Sequence, residues 1–142
     1  MATRPATPGR CFIGRLGHGD DLLAAVEAVA RENGIAAGTF QCIGALTKAA
    51  IGYYHQDRRE YETITCAEHM EIVWCGGNIS QRDGKPAVHG HIILADATGA
   101  AFGGHLLSGN GIFACELFVQ ELTGVELERA WDETTGLPLW RP

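Results

Sequence analysis

Ala87-Val88-His89-Gly90-His91-Ile92-Ile93-Leu94-Ala95-Asp96-Ala97-Thr98-Gly99-Ala100-Ala101-Phe102-Gly103-Gly104-His105-Leu106-Leu107 is the stretch that decides the fold. Residues i and i+2 of a strand share one face, about 6.6–6.8 Å apart. If Ala87–Ala95 is a strand, His89 and His91 project together. A three-residue loop, Ala97 to Gly99, with glycine in the left-handed position is a common hairpin form. That loop opposes Asp96 to Ala100 and, counting outward, His91 to His105. Directly opposed residues lie on one face with β-carbons roughly 4.5–5.5 Å apart. The register gathers Val88, Ile92, Leu94, Phe102 and Leu106 on an apolar side. His89, His91 and His105 stand on the other, beside Ala95, Ala101 and Gly103. A slip of one residue sends His105 to the wrong face. Gly90, Gly103 and Gly104 are expected to leave open space around the rings.

Three imidazoles on one patch match a catalytic-type metal site with an open fourth position. Zinc, nickel, iron and copper all accept nitrogen ligands, and zinc is the first expectation. The competing reading is a polar, solvated strand face. Glu71 and Glu116 fall on flanking strands, where each is a candidate further ligand, hydrogen-bond partner or acid/base, or simply a strand carboxylate. Other chemistry is poorly supported. Gly103–Gly104 and Gly109–Gly111 are not followed by a helix, as a phosphate loop requires. The chain has no G-x-S-x-G sequence. Nothing near Cys75 lowers a thiol pKa.

Outward from this hairpin the chain reads mostly as strands. Arg10–Leu16, Thr39–Leu46, Ala49–His55, Arg59–Cys66, Glu68–Ile79 and Ile112–Leu122 are β-prone, with Gly44 and Gly52 as bulge candidates and Gly76–Gly77 as an interruption. Asp83–Gly84 and Asn110–Gly111 are turn signals. One helix stands out. Asp20 is the expected N-cap, Asp21 falls in the first turn, and Leu22, Leu23, Val26, Val29 and Ala30 form an apolar stripe. Glu27 and Arg31 make an i,i+4 pair, and Asn33–Gly34 supplies the stop. The expected architecture is α+β, a mostly antiparallel sheet covered by one main helix. Residues 1–9 are expected to form a flexible tail and 10–142 a single domain.

Length and composition agree with that reading. A chain of 142 residues suits one core, and 46% hydrophobic with 20% charged residues is an ordinary globular balance. The longest unbroken apolar run is Leu22–Val26, far short of the roughly 18 residues a membrane span needs. Residues 1–10 lack an apolar signal segment. Five widely spaced cysteines without a C-x-x-C pair suggest buried apolar thiols rather than disulfides. A cytoplasmic location is therefore expected. The net charge of −6 and the single adjacent basic pair, Arg58–Arg59, disfavour a DNA-binding surface on one chain.

These residues carry a resemblance. Gly19-Asp20-Asp21-Leu22, Gly44-Ala45, Gly52-Tyr53-Tyr54, Glu71 leading to Gly77-Asn78-Ile79, Asp83-Gly84-Lys85-Pro86 with His89-x-His91, and Gly103-Gly104-His105-Leu106 resemble the PPC (plants and prokaryotes conserved) domain. The likeness runs from about Arg10 to Leu139. It implies a compact α+β fold, usually a homotrimer, with metal-ligand roles for His89, His91 and His105. Stand-alone prokaryotic members commonly bear a DNA-binding label. The Arg-Gly-Arg-Pro hook of the plant proteins is absent here, and His18-Gly19-Asp20-Asp21 stands where the family often reads Gly-Glu-Asp. Three functions follow as expectations: a metal-binding protein with a regulatory, DNA-linked role by resemblance, a metal-dependent enzyme acting on a small molecule, or a trimeric interaction scaffold.

Overall fold

A computed structural model describes residues 3–141. The chain runs β1 (Thr7–Leu16), α1 (Leu22–Glu32), β2 (Gly38–His55), β3 (Glu60–Cys66), β4 (Met70–Arg82), β5 (Lys85–Ala95), β6 (Ala101–Leu106), β7 (Gly111–Thr123), β8 (Arg129–Asp132) and β9 (Leu137–Trp140). This is the α+β arrangement expected, an antiparallel sheet with one helix. β1 starts three residues before the strand read from sequence, so residues 7–9 of the expected tail belong to it; residues 1 and 2 lie outside the described residues.

Seven strands form one sheet in the order β1-β7-β2-β4-β5-β6, with β3 beside β2. The two runs expected as Thr39–Leu46 and Ala49–His55 are a single 18-residue strand. The first half of β2 pairs with β7 and β4, and the second with β3 and β6. Because β6 also pairs with β5, strands β2, β4, β5 and β6 close on themselves. Gly44 makes the bend possible. The β2–β4 register shifts there, its φ is +150°, and a side chain would collide with the backbone of Ala114 and Cys115. Gly52 is no bulge; it pairs regularly with Thr63 and His105. Nor do Gly76 and Gly77 interrupt β4, which runs straight through them.

α1 packs Leu22, Val26 and Ala30 against the inner face, where Phe40, Ile51, Ile79, Ile92, Leu94, Leu106 and Val119 are buried. At roughly 1.5–3 kcal/mol per fully buried large aliphatic side chain, this stripe holds the helix in place. The N-cap is Asp21, one residue later than expected, with its carboxylate accepting from the Ala24 amide at 3.0 Å. Asp20 is committed elsewhere: its carbonyl accepts the Ile112 amide. The other Asp21 oxygen accepts the Gly109 and Asn110 amides, tying the helix start to the loop before β7. Asn110 is thus not a hairpin turn residue. It is fully buried, donates to the Ala50 and Leu107 carbonyls and accepts the Ala50 amide. Glu27 does not meet Arg31, which lies instead near Glu32.

Cys42, Cys75 and Cys115 are buried as expected, whereas Cys11 is exposed and Cys66 half-buried. The hydrogen bond to Cys42, then burial, pushes the Cys115 thiol far above its ordinary value. Such thiols are inert. Among the described residues no helix is long and apolar enough to cross a membrane.

Candidate metal centre

The Asp96–Gly99 turn sets the site. The Asp96 amide donates to Ala100 at 3.1 Å, and Gly99 takes a φ of +83°. The Asp96 carboxylate accepts the Thr98 and Ala100 amides and the Thr98 hydroxyl. With the turn so closed, His91 stands opposite His105. A two-residue turn with Asp83 at φ 53° and Gly84 at φ 73° joins β4 to β5 and places Asn78 opposite His89.

His89, His91 and His105 therefore converge on the outer face of the sheet. One ring nitrogen from each lies within 4.8 Å of the others, and the ring centroids are 5.0 to 5.5 Å apart. Tetrahedral zinc at 2.0–2.1 Å sets its nitrogens about 3.3 Å apart, so small side-chain rotations complete the contact. His91 is exposed; His89 and His105 are half-buried. None of the three rings hydrogen-bonds to another described residue, which leaves their lone pairs available. Burial, then Arg129 and His91, holds His89 below the usual histidine range. Burial, then His89, His91 and Arg129, takes His105 down to about 4. Both rings are neutral at pH 7, the form that binds metal.

The glycines serve a purpose other than the one expected. A β-carbon on Gly90 would press into the Phe40 ring, and one on Gly103 or Gly104 would strike the backbone of β5 or β2. They let the strands approach closely and do not open space over the rings.

Glu71 and Glu116 are both exposed and outside the histidine cluster. Glu71 pairs with Ala95, four residues along β5 from His91 and so roughly 13 Å away. Glu116 pairs with Ile43 on β2, three strands from β5 and roughly 14 Å away. The remaining histidines are separate: His55 bonds to Glu62 at 2.7 Å, and the His18 ring to the Phe113 carbonyl at 2.8 Å.

Two neighbours of the centre escaped the sequence reading. The Tyr61 ring from β3 lies 5.0 Å from that of His105. Arg129 from β8 binds Asn78 Oδ1 at 2.7 Å, Ser80 Oγ at 2.7 Å and the Pro138 carbonyl at 2.9 Å. Both come from strands distant in sequence, and no local pattern ties them to the histidines. Together with the β8–β9 hairpin they border an open pocket of about 530 Å³ that His89 and His105 also line.

The model of the Plants and Prokaryotes Conserved (PCC) domain matches residues 3–123. The chain belongs to this family. The protein described as metal-containing, AF0104 from Archaeoglobus fulgidus, is 42% identical with a TM-score of 0.94, covering 100% of both chains. A protein of Ralstonia eutropha JMP134, described as a candidate DNA-binding protein, is 29% identical with a TM-score of 0.82 over 92% of this chain and 90% of that one. The bifunctional protein GlmU of Synechococcus sp. strain JA-3-3Ab is 32% identical over 124 residues, 86% of this chain. The chain spans about a fifth of the length of the curated relatives it matches, 19% in that case.

Proposed function

We propose that this PCC-domain chain holds a divalent transition ion, zinc before nickel or iron, on His89, His91 and His105, and presents its open coordination position to a small-molecule ligand. The observation that carries this reading is the convergence of three uncommitted imidazoles within 4.8 Å beside a pocket. That AF0104 is described as metal-containing supports it. A bound divalent ion supplies Lewis acidity at the open position. Beside it stand the Tyr61 ring, 5.0 Å from that of His105, and the positive charge of Arg129. Glu71 and Glu116 do not reach the ion within one chain, so an acid/base role for either requires a neighbouring subunit.

The assembly we propose is a homotrimer. Ile13, Ile43, Trp74, Ile93 and Phe118 share the outer face with the histidines and are exposed by 37% (Phe118) to 81% (Ile13). An apolar surface this continuous marks an interface. Light scattering after size exclusion should report three chains, and Ile43→Asp with Phe118→Asp should yield monomers. A monomeric parent chain overturns this part.

The DNA-linked role suggested by the Ralstonia relative finds little support in the charge distribution. The chain carries −6, and its adjacent basic residues are few. Salt-dependent binding to mixed duplex fragments would restore that reading.

Cobalt(II) tests the centre itself. Loaded into the metal-free chain, it should show the intense visible bands of a four-coordinate ion, and His105→Ala should abolish them. Weak bands like those of aqueous cobalt would contradict the site.

A further inference from the structure

Arg129 makes no ion pair; among the described residues its partners are a hydroxyl, an amide oxygen and a backbone carbonyl, all neutral. A guanidinium has five N–H donors, and three are engaged. The group is nonetheless held firmly, half-buried with Trp140 against its face at 5.8 Å. A cation fixed in place, partly desolvated and lacking a counter-charge suits an anionic ligand.

The pocket it borders supplies the rest. Its volume of about 530 Å³ is that of a small-molecule site. His89 and His105 line it, Tyr61, Leu137 and Leu139 add apolar surface, and charged side chains of both signs border it. The family match ends at residue 123, so Arg129 and the β8–β9 hairpin lie beyond the matched region.

We propose that this pocket binds a small organic carboxylate, with its charged end between Arg129 and the open metal position and its apolar body against Tyr61, Leu137 and Leu139. The share assigned to the metal rests on the three-histidine centre; the share assigned to Arg129 does not. The other charged lining residues, Glu27 and Asp83 against Arg82 and Lys85, balance in number, which leaves the Arg129 guanidinium as one unmatched positive charge. With two free donors it suits the single charge and two oxygens of a carboxylate better than a phosphate.

Calorimetric titration of the full chain, chelated and zinc-loaded, with benzoate, its neutral analogue benzamide and inorganic phosphate tests this. Benzoate should bind both forms, more tightly with zinc, and benzamide roughly 10–100-fold more weakly, the loss of a charge-assisted hydrogen bond. Arg129→Gln should weaken benzoate similarly, and Arg129→Lys should restore part of the affinity. Zinc content should be unchanged in both variants, a readout that a collapsed site would not preserve. Equal binding of benzoate and benzamide, or phosphate bound where benzoate is not, overturns the proposal without any variant. The two readings fail separately: benzoate held by Arg129 in a chain that takes up no zinc sinks the metal centre alone, and zinc without benzoate sinks the carboxylate pocket alone.

Discussion

Arg129 donates to Asn78 Oδ1 at 2.7 Å, and Asn78 stands directly opposite His89 in the β4–β5 ladder. A fixed positive charge is thereby built into the surroundings of the histidine cluster from the far end of the chain. It acts against imidazolium formation at both His89 and His105, behind burial as the larger cause.

Replacing Arg129 by Met should therefore raise the pKa of both rings in the metal-free chain, since a nearby like charge disfavours protonation. Burial remains, so His105 should stay below the ordinary histidine value. Histidine proton resonances followed across pH measure this directly. An unchanged or lower His105 pKa would show that the charge does not reach the ring.

The same shift sets a pH dependence of folding. His105 titrates at about 4 when folded and near ~6.5 when unfolded. Between those values the unfolded chain binds more protons, so stability rises with pH. For the metal-free chain this contribution is complete above about 6.5 and is lost as pH falls toward about 4. Urea unfolding at stepped pH should show that slope, and His105→Ala should flatten it. Identical slopes in the two chains would assign the acid sensitivity to other groups.

Asn110 predicts a stability cost without a change in the centre's chemistry. Alanine there leaves the Ala50 amide and the Ala50 and Leu107 carbonyls without their side-chain partner at a fully buried position. The expected loss is about 3 kcal/mol by urea titration. A loss below about 1 kcal/mol would mean that water or a backbone shift replaces the side chain.

Gly77→Ala should damage fold and centre together. A β-carbon there would lie 2.7 Å from Gly90 Cα and against the His89 carbonyl, forcing β5 away from β4. Overpacking of this kind costs on the order of 1–3 kcal/mol, and the displaced segment carries His89. Metal affinity should fall with stability. Gly14→Ala, where a β-carbon meets nothing within 4 Å, is the matched control and should change neither. Equal behaviour of the two variants would contradict the close-approach account.

The histidine hairpin was legible because its information is local. A three-residue loop ending in glycine sets the register, and alternation checks it, so the His91–His105 pairing followed from counting. The helix stripe was legible for the same reason. What stayed hidden depends on contacts distant in sequence. The continuity of β2 rests on a bend at Gly44 stabilised by pairing with β7, and the closure of β6 onto β2 has no sequence period. Asn110-Gly111 carries a turn signature, yet burial turns the asparagine into a brace for β2. Asp20 and Asp21 are equal as caps until the Asp20 carbonyl is drawn into a bridge with Ile112. Arg129 and Tyr61 reach the centre from elements 24 or more residues from His105.

Metal content per chain, by elemental mass spectrometry on untagged protein purified without chelator, tests the central claim most directly. The parent chain should carry close to one equivalent of a divalent transition metal, and His89→Ala, His91→Ala and His105→Ala should each lose it while keeping the fold. No stoichiometric metal, even after loading with zinc, nickel or iron, would contradict the centre and leave three histidines on a solvated sheet face.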